Sequence, residues 1–252
     1  MGGGHLPDAL ASPRVITLGG PDAPLAIDRA EMLRYLGHTG QDIDEELAAR
    51  IKRVTHEAAC GARARCVIAA FPVDARSLDP AGEPCIRLTG TVAEFTGRDV
   101  YRHLKDARWC AATACTLGMD NERELRRRGA TSALEAALFD AASSALVEAA
   151  VEHVDRMVRA EAAAAGLSCN WRFSCGYGDC PLQAQGPLLA TLDTARRIGL
   201  TVTPSDLMIP SKSVSALMGI FEGPARSTDA PARCSICRMR SGCTLRARGL
   251  TC

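Results

Sequence analysis

The stretch from Ser132 to Ala165 constrains this chain more than any other. It opens on Ser132 and Glu135, an S-x-x-E pairing whose serine oxygen and carboxylate satisfy the first free amides of a helix. Leu134, Leu138, Ala142, Leu146, Ala150, Val154 and Met157 then recur at helical spacing and form one apolar stripe. Gly166 follows as the stop. At 1.5 Å per residue such a helix runs roughly 50 Å. The spacing therefore predicts a spine along which the other elements pack.

Those elements come in clusters. "IDRAEMLRYLG" predicts a helix with Asp28 and Glu31 in a D-x-x-E cap and Gly37 as its end. Ile43, Leu47, Ile51 and Val54 predict a second helix up to Gly61. "RCVIAAFPV" reads as a strand and "CIRLTGTVAEF" as one or two more; "RDVYRHLKDA" reads as a short helix before the small-residue strand "RWCAATACTLG". "PLLATLDTARRIG" predicts a helix with Pro187 in its first turn and Gly199 at its end. Val214, Ala216, Met218 and Ile220 alternate with Ser213, Ser215, Leu217 and Gly219 at the period of a strand. Residues 1–24 are expected to be a flexible arm, 25–222 one domain, and 223–252 a linker and cysteine-rich tail. Clustering without strict β-α-β alternation gives an expected α+β fold: a mixed, largely antiparallel sheet flanked by helices. No G-x-G-x-x-G follows a strand, which argues against a Rossmann nucleotide domain.

A net charge of +1 argues against a general nucleic-acid or acidic-membrane binder, and 4% aromatic residues leave little for stacking single strands. The run Arg126–Arg128 reads as a solvated helix end. No apolar run approaches the roughly 18 residues of a membrane span. The first residues lack the basic-then-apolar order of a signal peptide and the Ser or Thr of a myristoylation signal. A cytoplasmic location is the expectation, so the twelve cysteines are read as thiols or metal ligands before disulfides. Cys234, Cys237, Cys243 and Cys252 form a C-x2-C-x5-C-x8-C pattern. Its first pair suits zinc or an iron–sulfur cluster, while the outer spacings match neither standard arrangement and leave free or redox-active thiols as the alternative. His38, His56, His103 and His153 have no spaced partners and read as structural.

The segment "RFSCGYGDCP", from Arg172 to Pro181, is harder to assign to a core. Arg172 offers a planar fork of donors for a carboxylate, and Gly176 and Gly178 permit positive φ and close approach of a ligand to the main chain. A plain turn is the other reading, with Cys175 and Cys180 either joining the tail cysteines or incidental. In its full order, "RFSCGYGDCPLQAQGPLLATLDTARRIGLTVTPSDLMIPSKSVSALMGIF" resembles the reactivation domain of cobalamin-dependent methionine synthase. The shared pieces are an R-x-x-x-G-Y motif, a helix, an "IGL" segment followed by threonines, and a small-residue strand. "LVEAAVEHVDRMVR" is similar to that domain's long acidic helix, and "IDRAEMLRYLGHTG" to its entry helix. The resemblance runs from about residue 25 to 222 and is to short, stand-alone relatives of the domain.

The resemblance implies binding of S-adenosylmethionine and its use to remethylate cobalamin oxidised to the cob(II) state. A corrinoid protein or truncated methionine synthase would present the cobalamin, and a flavodoxin-like donor would supply the electron. It further implies that Arg172 holds the methionine carboxylate, Ser174 gives main-chain contacts and Tyr177 lines the face turned to the corrin. Asp28 would be the N-terminal acidic ligand and Glu148 the acid near the amino group. Read from the residues alone, Asp28 is a helix N-cap, Glu148 and Glu152 a solvated helix face, and Tyr177 a loop anchor. The alternative function is a non-enzymatic corrinoid-protein or redox adaptor whose working part is the cysteine tail. The family's C-terminal tyrosine contact has no counterpart after Phe221, which favours that alternative.

Overall fold

The computed structural model describes residues 5–223 and 241–247. Its first half runs β1 (Arg14–Gly19), α1 (Arg29–Tyr35), α2 (Glu45–Gly61), β2 (Arg63–Asp74), β3 (Ile86–Leu88), β4 (Glu94–Phe95), α3 (Arg98–Leu104) and β5 (Trp109–Thr116). Then come α4 (Gly118–Gly129), α5 (Ala133–Ala164), β6 (Leu167–Cys169), α6 (Gln185–Thr191), α7 (Thr194–Ile198), β7 (Thr201–Val202), β8 (Met208–Ile209), β9 (Ser213–Glu222) and α8 (Thr244–Ala247). The main sheet has the order β4-β3-β2-β5-β9-β6, with β1 beside the first half of β2. Every described pairing is antiparallel, including the separate β7–β8 hairpin. The fold is α+β with a largely antiparallel sheet, as expected.

Local chemistry sets the helix ends. Ser132 Oγ accepts the amide of Glu135 at 3.3 Å and starts the 32-residue α5. Asp28 accepts the amides of Ala30 and Glu31 at 2.8 and 3.2 Å and starts α1. Gly37, at φ +74°, lets the chain leave α1 while the His38 amide reaches back to the Leu33 carbonyl at 3.0 Å.

The sheet is covered on both faces. Along β2, Cys66, Ile68 and Ala70 point to the core under α5, while Val67 and Ala69 point to a second core. The first core takes Leu138, Leu146, Val151, Val154 and Val158 of α5, with Ile51 and Val54 of α2. The second takes Val100 and Leu104 of α3, Leu188 and Leu189 of α6, and Ile198 of α7. On β9, Met218 and Ile220 serve the first core and Leu217 the second, so residues of both parities are buried. Of the predicted α5 stripe, Leu134 is exposed and Met157 half-buried; Val151 and Val158 take core places instead.

Three expectations are corrected. The described part of 1–24 is not a loose arm: Leu10 is fully buried, and β1 pairs with β2 from Arg14↔Ile68 to Gly19↔Arg63. Ile16 and Leu18 pack on the first core, an alternation that the flanking Gly and Pro obscure. The helix expected over "PLLATLDTARRIG" is two helices, because Asp193 adopts φ +51° and turns the chain between α6 and α7. Arg126 and Arg127 reach solvent, but Arg128 does not: its side chain is 10% exposed and binds Glu57, Glu124 and Glu135 at 2.8, 2.7 and 3.3 Å. Its guanidinium also lies 4.7 Å over the Phe139 ring.

Candidate functional site

Beyond β6 the chain stays beside β9 for four more residues, and this segment carries Arg172. Asn170 donates its amide to the Gly219 carbonyl at 3.2 Å and accepts the Gly219 amide on Oδ1 at 2.8 Å. Its Nδ2 donates to the His103 carbonyl at 2.8 Å, and its own carbonyl accepts from Arg159 at 2.7 Å. Phe173 exchanges two 2.7 Å hydrogen bonds with Leu217. Trp171 and Phe173 both lie against the His103 ring, with centroids 4.7 and 5.4 Å away. Alternation along an extended chain then sends Arg172 to the opposite face, toward α5. Its backbone is pinned on either side before any ligand arrives.

On that face Arg172 Nη2 donates to Glu148 Oε2 at 2.8 Å, and each side chain is 26% exposed. Among the described residues Glu148 is its only hydrogen-bond partner, so most of the five guanidinium donors remain for water or a ligand. Beside the pair is a narrow cleft of about 10 Å³ floored by Ala111 and Thr113 of β5 and Ala216 of β9, with Val151 and Asp155 of α5 as its wall. It has room for about one water. Arg172 is among its lining residues, and Glu148 is bonded to Arg172 beside it.

The wall is charged. Glu148, Glu152, Asp155 and Arg159 follow at spacings that keep them on one side of α5. Burial raises the Asp155 carboxyl above its usual range, against the pull of Arg159 and Arg172. Across Glu148 stands Tyr35, at the end of α1, with the Arg34 guanidinium 4.4 Å over its ring. Burial, then the charges of Glu148 and Glu31, raise the Tyr35 phenol. Neither Asp155 nor Tyr35 is among the residues the sequence singles out. The seven-residue step from Glu148 finds Asp155; nothing local marks Tyr35.

The remaining sequence candidates fall as follows. Asp28 has its carboxylate on the first amides of α1, seven residues and about 10 Å of helix from Tyr35. In the loop, the Tyr177 amide donates to the Ser174 carbonyl at 3.2 Å, and Gly176 and Cys180 close it with 3.1 Å bonds. Gly176 and Gly178 do have positive φ, +86° and +54°. The space a Gly178 side chain would need is taken by the protein: its Cβ would lie 2.3 Å from Asp99 Oδ2. Asp179 caps α3 by accepting the amides of Arg98 and Asp99 at 2.8 and 2.9 Å, since Gly97 has no side chain to do so. Gly178 thus answers a docking of the loop against α3, while a Cβ on Gly176 would meet Leu182 Cδ1 at 3.2 Å. Tyr177 is 61% exposed, so its main chain rather than its ring holds the loop.

Cys234, Cys237 and Cys252 lie outside the described residues; Cys243 is described and partly exposed. Among the described residues no group of three or more His, Cys, Asp or Glu is placed to hold a metal ion, and no helix is long and apolar enough to cross a membrane.

No family model matches the sequence, and no curated protein matches it. Among solved structures the chain is similar to one described as the crystal structure of the MetH reactivation domain bound to AdoHcy. The TM-score is 0.62 at 15% identity, over 98% of this chain and 88% of that one. At that identity the likeness is one of fold, and it extends over nearly the whole chain.

Proposed function

We propose that this chain binds S-adenosylmethionine and serves the reductive remethylation of cobalamin carried by a partner, a corrinoid protein or truncated methionine synthase, with a flavodoxin-like electron donor. The observation that carries the reading is the Arg172–Glu148 pair on a segment clamped to β9, within a fold whose solved neighbour holds AdoHcy. An amino-acid zwitterion needs a cation for its carboxylate and an anion for its ammonium. Arg172 and Glu148 supply both in one place, and a charge-assisted fork suits a planar carboxylate. The residues' task is positioning, since the sulfonium and the cobalt supply the reactivity. Tyr177, exposed on the adjoining loop, is free to meet the face of a corrin-bearing partner.

The test is calorimetric titration of S-adenosylmethionine into the wild type and Arg172→Ala. A hydrogen bond to a charged group contributes roughly 1.5–3 kcal/mol, so the variant should bind about 10- to 100-fold more weakly. Its melting temperature should hardly change, because a partly exposed ion pair contributes about 1 kcal/mol or less to folding. No affinity in the wild type, or equal affinity in both proteins, would leave the adaptor reading in possession of the fold.

A further inference from the structure

Cys175 and Cys180 bracket the glycine loop, and neither the fold nor the proposed function accounts for them. Both are free thiols, 5% and 3% exposed at the edge of the second core. Both side chains pack into the second core, and the Gly176 amide bonds the Cys180 carbonyl at 3.1 Å, so the loop is closed at its two sulfur-bearing ends. Between them, Gly176 and Tyr177 are exposed. The other facing pair, Cys66 and Cys115 across β2 and β5, is fully buried under α5. The two loop thiols are also unlike each other. Their mutual interaction raises Cys175 and lowers Cys180 from the ordinary thiol range, and Cys180 Sγ reaches the Pro181 carbonyl at 3.9 Å. The lowered thiol is the one closer to its nucleophilic thiolate form.

We infer that Cys175 and Cys180 are a reversible two-electron oxidation site that takes small-molecule disulfides as its co-substrate and locks the loop as a Cys175–Cys180 disulfide. The Cys180 thiolate attacks one sulfur of the small disulfide, whose S–S bond breaks and releases one thiol after protonation. Cys175 then gives up its proton and attacks the Cys180 sulfur of the mixed disulfide, expelling the second small thiol. Two protein thiols are oxidised and one small disulfide is reduced to two thiols. The site does not depend on the ligand reading: it stands or falls on the sulfurs alone.

The full chain would be reduced, equilibrated with oxidised and reduced glutathione at graded ratios, unfolded, alkylated and digested at arginine. Cleavage after Arg172 and Arg196 gives one peptide that holds Cys175 and Cys180 and no other cysteine. The expected result is a peptide that has lost two hydrogens and resists alkylation at both sulfurs, at ratios where Cys66 and Cys115 still alkylate fully. Dithiothreitol should restore it. Cys175→Ser should trap glutathione on Cys180 as a stable mixed disulfide. A wild-type peptide alkylated at both cysteines throughout, or carrying stable glutathione in place of the internal bond, would overturn the proposal.

Discussion

His103 is the residue on which the Arg172 segment leans. It is 6% exposed, takes Trp171 and Phe173 against its ring, and approaches Asn170 Nδ2 with Nδ1 at 3.3 Å. Burial lowers its pKa from 6.5 to about 4, against a smaller raising effect of the Trp171 and Leu217 backbone. Between those values the folded protein binds fewer protons than the unfolded chain, so the contribution is complete above the unfolded pKa and is lost as pH falls toward the folded one. From about pH 7 to about pH 5 the loss should be about 2 kcal/mol. Urea unfolding at both pH values should show that drop in the wild type and a much smaller one in His103→Gln, which cannot titrate. Equal slopes in the two proteins would mean that His103 is not held neutral. The Arg172–Glu148 ion pair joins two residues that are visible in the sequence as types, a fork of donors and an acid on a helix face. The packing of Gly178 against Asp99 is not legible there, because the two lie far apart in the chain and share no local signature.

At the level of elements, Arg128 joins α2, α4 and α5 through Glu57, Glu124 and Glu135. Glu124 is held down at about 2, first by Arg127 and then, against burial, by Arg128. The three partners remain 38%, 29% and 18% exposed, so water screens part of what Arg128→Ala removes. A loss of about 2 kcal/mol is expected, between the 0–1 of an exposed pair and the 3–5 of a buried one. Arg127→Ala, at a position 68% exposed, is the comparison and should cost well under 1 kcal/mol. If chemical denaturation finds the two variants alike, the junction contributes nothing to the packing of the helices. Helix starts at Asp28 and Ser132 were legible because a cap is chemistry within three residues. The buried member of the Arg126–Arg128 run was not, since its partners come from other helices. The same holds for β1, whose edge is completed by a strand more than forty residues away.

Across the whole molecule, one sheet serves two cores. Each of β2, β5 and β9 sends alternate side chains to α5 above and to α3, α6 and α7 below. Chain size alone favours folding intermediates, since beyond roughly 150 residues they become common. The shared sheet opposes this: neither helical layer keeps its core once the strands part. We expect the second effect to win and the domain to unfold in one transition. The chain has two tryptophans, and they lie on opposite sides of the question: Trp109 belongs to the first core, while the Trp171 ring lies tilted against His103 of α3. Trp109→Phe and Trp171→Phe each leave one reporter. Within each variant, fluorescence and far-ultraviolet circular dichroism should give the same urea midpoint. Fluorescence of Trp171 changing at lower urea than the helical signal would instead show that the layer of α3, α6 and α7, with the Arg172 segment attached to it, opens on its own.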